Sequence, residues 1–72
     1  MTIFAERLRK HRALKSVTQK QVAEAIGISE RGYQEYELSK KEPTMGKLLA
    51  LADYFDCSID YLVGRSDDPT RH

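Results

Sequence analysis

The stretch from Thr18 to Glu37, TQKQVAEAIGISERGYQEYE, constrains this chain more than any other, because a start, a stop and a second start signal follow one another within it. Thr18 followed by Gln21 fits a capping box, in which each side chain satisfies an open backbone N–H, and Val17 with Val22 fits the accompanying hydrophobic staple. The spacing predicts a helix beginning at Gln19. Its apolar residues Val22, Ala23 and Ile26 share one face, and the small Ala23 lets a second helix cross closely. Gly27 takes the left-handed conformation that ends a helix without a Cβ penalty, and Ser29 is a strong N-cap for the next one. Ile28 and Tyr33 repeat the staple. Tyr33 and Tyr36 then face inward, which leaves Glu30, Arg31, Gln34 and Glu35 on the outer surface.

The flanking segments supply the rest of a helical core. A first helix is predicted from Ile3 to Lys15, with Phe4 and Leu8 on its inward stripe, His11 next along it and Leu14 adding apolar packing. Ser39 to Pro43 reads as a polar loop, since the residue before a proline is disfavoured from continuing a helix. Thr44 can cap a fourth helix in which Met45, Leu48, Leu51, Ala52 and Phe55 recur at helical spacing. Ser58 can cap a short fifth helix carrying Ile59, Leu62 and Val63 and ending at Gly64. The domain is thus expected to span residues 1–64, with residues 65–72 as a polar, disordered tail containing Pro69.

Composition narrows the function classes. With 72 residues the chain supports one domain. A domain of this size buries only about 60% of the surface its unfolded chain exposes, so pairing would help it. Its single cysteine, Cys57, excludes an intramolecular disulfide and a multi-cysteine zinc site, and reads as a small core residue. No apolar run is long enough to span a bilayer and no signal-peptide region opens the chain, which leads us to expect a cytoplasmic protein. Net charge is only +1, but its distribution is uneven: residues 1–20 hold six Lys or Arg against one acid, whereas residues 48–72 hold five Asp against two Arg. Lys40, Lys41 and Lys47 form a second basic group. Two basic regions beside the outer face of the third helix could grip the phosphates of a nucleic acid, or could simply be solvated helix faces.

Taken together, these residues resemble the helix-turn-helix domain of the phage-repressor and Cro family, also called the xenobiotic-response-element type. The resemblance runs from Phe4 to Gly64 and rests on Thr18-Gln19 opening the second helix, Ala23 within it, Gly27 at the turn, Tyr36-Glu37 ending the third helix, and the closing run EPTMGKLLALADYFDCSIDYLVGRSD. It implies an all-α, compact five-helix repressor-like bundle that binds double-stranded DNA as a homodimer and regulates transcription, most often by repression. The family uses the glutamine at the position of Gln19 to clamp the DNA backbone, and Thr18, Lys40 and Lys41 stand where phosphates would approach. Base reading would fall to Glu30, Arg31, Gln34 and Glu35, since the second helix of the motif enters the major groove. Arg31 can either make a bidentate contact to guanine or pair with Glu35 four residues on. The family also pairs the arginine of the first helix with the glutamate ending the third, here Arg12 and Glu37, in a largely buried salt bridge. Tyr61, Leu62 and Val63 are the expected dimer contact, and no small-molecule effector domain is expected.

The competing reading is a protein-interaction module on the same fold, such as an antitoxin or an anti-repressor partner. Glu30 and Glu35 favour it, because carboxylates near phosphates are repelled. An enzyme is not expected, since no convergent set of reactive groups can be assembled. Neither a cofactor nor a metal is expected: His11 has only His72 as a second histidine, and a metal site needs several ligands at suitable spacing.

Overall fold

Local cap chemistry sets the boundaries of the helices. The computed structural model describes residues 2–71 and contains α1 (Thr2–Lys15), α2 (Gln19–Ile26), α3 (Glu30–Glu37), α4 (Met45–Phe55) and α5 (Ile59–Leu62). Thr18 Oγ1 accepts from the Gln21 N–H at 3.1 Å, and the Gln21 side chain accepts from the Thr18 N–H at 2.8 Å. Both halves of the capping box are therefore present. Gly27, at φ +78°, ends α2. Its N–H bonds to the Glu24 carbonyl at 3.3 Å and the Ile28 N–H to the Ala23 carbonyl at 3.0 Å, the paired bonds of a Schellman turn. Lys47 of α4 adds a third element, donating its Nζ to the Ile26 carbonyl at 2.9 Å. Ser29, Thr44 and Ser58 each cap the helix that follows them through a side-chain oxygen.

The five helices close around one core. Phe4 and Leu8 of α1, Val22, Ala23 and Ile26 of α2, Tyr33 and Tyr36 of α3, and Leu48, Leu51, Ala52 and Phe55 of α4 are all buried. At about 25 cal/mol per Å² of apolar surface removed from water, such burial is the main stabilising contribution. Cys57 is buried at the junction of α4 and α5. Burial first, and Asp56 further, raise its thiol pKa, with Arg71 opposing.

Four expectations need correction. Leu14 is 70% exposed and adds no core packing; at 100° per residue it stands roughly a third of a turn from the stripe of Phe4, Ala5 and Leu8. Met45 is 66% exposed, on the first turn of α4 between Thr44 and Gly46, both themselves exposed. Tyr61 and Leu62, expected at a dimer surface, are 4% and 0% exposed within the single chain, because the one turn of α5 presses them against α1 and α4. Of the three expected contacts, Val63 alone keeps a half-exposed side chain.

The fourth correction concerns the polar segment after Gly64: residues 65–71 return along the bundle instead of leaving it, and His72 lies outside the described residues. The Pro69 carbonyl accepts from the Ser58 N–H at 3.0 Å. Arg71 reaches the Ala52 carbonyl at 3.3 Å and Asp53 at 2.6 Å. From the other side, Arg7 donates to the carbonyls of Tyr61 and Ser66 and to Asp67, with its guanidinium 4.1 Å from the centre of the Tyr61 ring. Polar composition argued for disorder, but the segment is held by backbone carbonyls and by charge pairs with residues far away in sequence.

Candidate nucleic-acid interface

Helix α3 is presented to solvent along one side and clamped along the other. Ser29 Oγ accepts from the Gly32 N–H at 3.0 Å and fixes its first turn. A Cβ at position 32 would stand 3.2 Å from that same oxygen, a tight contact that the glycine avoids. Tyr33 and Tyr36 are buried beneath the helix, their rings meeting edge to face with centroids 6.4 Å apart. On the outer side Glu30 and Arg31 are exposed, while Gln34 and Glu35 are half-buried. Arg31, Gln34, Glu35, Leu38 and Lys40 line a shallow depression of about 280 Å³.

The far end of α3 is fixed by two arginines of α1. Arg12 Nε donates to Glu37 Oε2 at 2.7 Å and Arg12 Nη2 to Glu37 Oε1 at 3.3 Å. The Glu37 side chain is 4% exposed and that of Arg12 27%. Arg9 donates to the Glu37 backbone carbonyl, where a cation also complements the negative end of the helix dipole. Burial by itself would raise the Glu37 pKa. The hydrogen bonds and charge around it, with Arg12 foremost, outweigh that and hold it below the ordinary carboxylate value. The Tyr33 hydroxyl is buried at the same place, and its pKa is raised first by burial and then by the Glu37 carboxylate.

Gln19 links this clamp to the outer face. Its Nε2 donates to Glu37 Oε1 at 3.1 Å, and its Oε1 accepts from Gln34 Nε2 at 3.2 Å. The structure thus brings Arg12, Glu37, Gln19 and Gln34 into one hydrogen-bonded chain across α1, α2 and α3. Thr18 stays exposed at the N-terminus of α2, with both its hydroxyl and its N–H engaged in the capping box. Lys40 and Lys41 are exposed just beyond α3. Among the described residues Arg31 forms no ion pair, so the alternative pairing with Glu35 is not made in this structure.

The basic N-terminal region is divided between two uses. Arg7, Arg9 and Arg12 are spent on internal carbonyls and carboxylates, and Lys47 caps α2, whereas Arg31, Arg65 and the other lysines are exposed. Sequence reading missed the anchoring by Arg7 and Arg9 and the exposed Leu38 in the depression. An arginine at 7 and at 9 gives no local signal, because its partner lies on another helix; Leu38, an apolar residue directly after the last turn of α3, could have been noticed.

His11 stands apart from this face. Its Nε2 lies 3.1 Å from the Tyr61 hydroxyl, and its ring meets that of Tyr61 edge to face at 5.2 Å. Among the described residues no group of histidine, cysteine and acidic side chains could hold a metal ion. No helix among them is long and apolar enough to cross a membrane.

Comparison with known proteins places this geometry. The family model HTH_3, described as helix-turn-helix, matches residues 8–62. The HTH-type transcriptional regulator YobD of Bacillus subtilis is 42% identical over 67 residues, covering 93% of this chain and 60% of YobD. The CTXphi transcriptional repressor RstR of Vibrio cholerae is 45% identical over 60 residues, covering 83% of this chain and 54% of RstR. The chain therefore spans little more than half the length of these relatives. The crystal structure of the P22 c2 repressor in complex with a synthetic operator superposes with a TM-score of 0.81 at 32% identity, over 86% of this chain and 94% of that one. With its two capped helices meeting at Gly27 and its matching core, the chain belongs to the helix-turn-helix family of the phage-repressor type.

Proposed function

We propose that this protein is a sequence-specific regulator of transcription that binds double-stranded DNA as a homodimer on an inverted-repeat operator, acting as a repressor in the cytoplasm. One observation carries the reading: α3 has its outer face exposed while its end is held by Arg12 and Arg9, so a rigid element is presented where a major groove would accept it. Arg31, without a partner among the described residues, is available for a bidentate contact to guanine. Glu30, Gln34 and Glu35 complete the base-facing set. Gln19 keeps one amide N–H beyond its internal bonds, and with Thr18, Lys40 and Lys41 it supplies the phosphate contacts on either side. The likeness to the P22 c2 repressor, solved with an operator, supports the same assignment.

A second reading has a specific observation behind it. Glu30 and Glu35 place two carboxylates on the very face assigned to DNA, which suits a protein partner. Substituting Arg31→Glu separates the two. A DNA reader loses operator affinity while its thermal melt is unchanged; operator binding that survives the charge reversal contradicts the assignment of α3. If each protomer meets about four phosphates, the dimer's affinity should fall with salt at a log-log slope near −7, from roughly −0.9 per phosphate.

A further inference from the structure

The segment that follows α5 lies in a groove and carries the charge that the groove lacks. We propose that residues 68–71 form an arm that, in the homodimer, leaves its own chain and occupies the groove between α4 and α5 of a second copy. The inference rests on the homodimer reading above and names the surface through which the two copies meet.

Tyr61 and Leu62 cannot supply that surface, because they are buried within the single chain. A groove of about 330 Å³ runs between α4 and α5, and its apolar part comes from Ala52, the half-buried Ile59 and Leu49, which is 46% exposed. Asp53 and Asp60 stand exposed along it with Asp56 nearby, and among the described residues that line it Arg71 is the one cation. Two such faces brought together without the arms would set these carboxylates against their copies. An arm that carries Arg71 removes the repulsion, so charge complementarity selects a second copy of this chain as the occupant.

The way the arm is held makes exchange possible at little cost. Within one chain the Pro69 carbonyl accepts from the Ser58 N–H at 3.0 Å. Arg71 donates to the Ala52 carbonyl at 3.3 Å and to Asp53 at 2.6 Å, and it lies 3.8 Å from Asp56. The side chains of Arg71 and Asp53 are 44% and 69% exposed, and an ion pair so exposed contributes little. Each of these bonds can be made equally by the arm of a neighbour, which is why exchanging an identical element is an accessible route to dimers. The root of the arm stays in place: Arg7 holds the Ser66 carbonyl at 2.7 Å and Asp67 at 2.9 Å, and the Arg65 N–H bonds to the Asp60 carbonyl at 2.8 Å. Four extended residues reach about 14 Å from that root, so the two grooves must face each other closely. A two-fold axis between them makes the exchange reciprocal and closed.

The test is sedimentation equilibrium of the wild-type chain, Arg71→Asp, Asp53→Arg, an equimolar mixture of those two variants, and the chain carrying both substitutions, each checked for folding by circular dichroism. Both positions are exposed, so the fold should persist. The wild type should dimerise, and each single variant should do so roughly 10-fold more weakly. The mixture should recover a heterodimer, identified by native mass spectrometry, because each arm then meets a groove of opposite charge. Single variants that dimerise as the wild type does would overturn the role of the arm. Recovery in the chain carrying both substitutions, with none in the mixture, would mean that the arm closes only on its own chain and would overturn the exchange. A wild type that stays monomeric at millimolar concentration also overturns this inference; enrichment of an inverted repeat would still uphold the homodimer on DNA.

Discussion

Arg12 and Glu37 meet at 2.7 Å between Nε and Oε2, and through that contact the first helix of the chain holds the end of the third. The pair is structural before it is functional, because it sets the angle and rigidity with which α3 is presented. In Arg12→Met the Glu37 carboxylate would remain buried without its counter-charge. Breaking a buried pair costs about 3 to 5 kcal/mol, and the lower end applies because Arg12 is partly exposed. Urea unfolding should show a loss of about 3 kcal/mol, and a loss below about 1 kcal/mol would contradict the account of the pair.

His11 gives stability a pH dependence of known sign. Burial foremost, then the charges of Lys10 and Arg7, lowers its pKa from 6.5 in the folded chain. The unfolded chain therefore binds the proton more readily, and stability should fall as pH drops below 6.5, levelling off beneath the folded pKa. Glu37, whose folded pKa is depressed, adds its own loss only at lower pH, beneath the ordinary carboxylate value of 4.5. His11→Gln, which cannot titrate yet can still bond to the Tyr61 hydroxyl, should flatten the decline in urea midpoint between pH 7.5 and 5.5. An unchanged decline in that variant would remove His11 from the explanation.

Two glycines should respond to alanine in opposite directions. Gly64 has φ +86°, and a Cβ there would lie 2.9 Å from Ile3 Cγ2. Gly64→Ala should therefore cost about 1 to 3 kcal/mol. Gly46 is helical, and the nearest atom to an added Cβ is Thr44 Oγ1 at 4.0 Å, so Gly46→Ala should stabilise by up to about 1 kcal/mol. Thermal melts of the two variants shifting the same way would refute this contrast.

Cys57 should report on opening of the fold. Its side chain is buried and its thiol pKa raised, first by burial, so a thiol reagent at neutral pH should label it only as fast as the domain unfolds. Labelling rates should rise with urea in step with the unfolded fraction. Immediate labelling in buffer would mean that the junction of α4 and α5 is open.

What could be read in the sequence was what the chain decides locally. Thr18 with Gln21, Gly27, Ser29, Thr44 and Ser58 act on backbone groups within a few residues, so their roles follow from order along the chain. Partners brought together by the fold carry no such signal: Gln19 and Gln34, Lys47 and the Ile26 carbonyl, Arg71 and Asp53. Tyr61 and Leu62 were misplaced for a different reason. A helix of a single turn has too few residues to establish a periodicity, so the sequence does not say which of its apolar side chains face inward. The outward residues of α3 were legible as the complement of its buried tyrosines, whereas the hydrogen-bonded chain from Arg12 through Glu37 and Gln19 to Gln34 was not.

Whether the exposed face of α3 reads DNA is decided by enrichment of duplexes bound by the wild-type chain from a randomised pool at moderate salt. An inverted repeat whose half-sites lie about one helical turn apart should be enriched. A pool that stays unenriched, with the protein folded throughout, would contradict that reading of α3 and assign Glu30 and Glu35 to a protein partner.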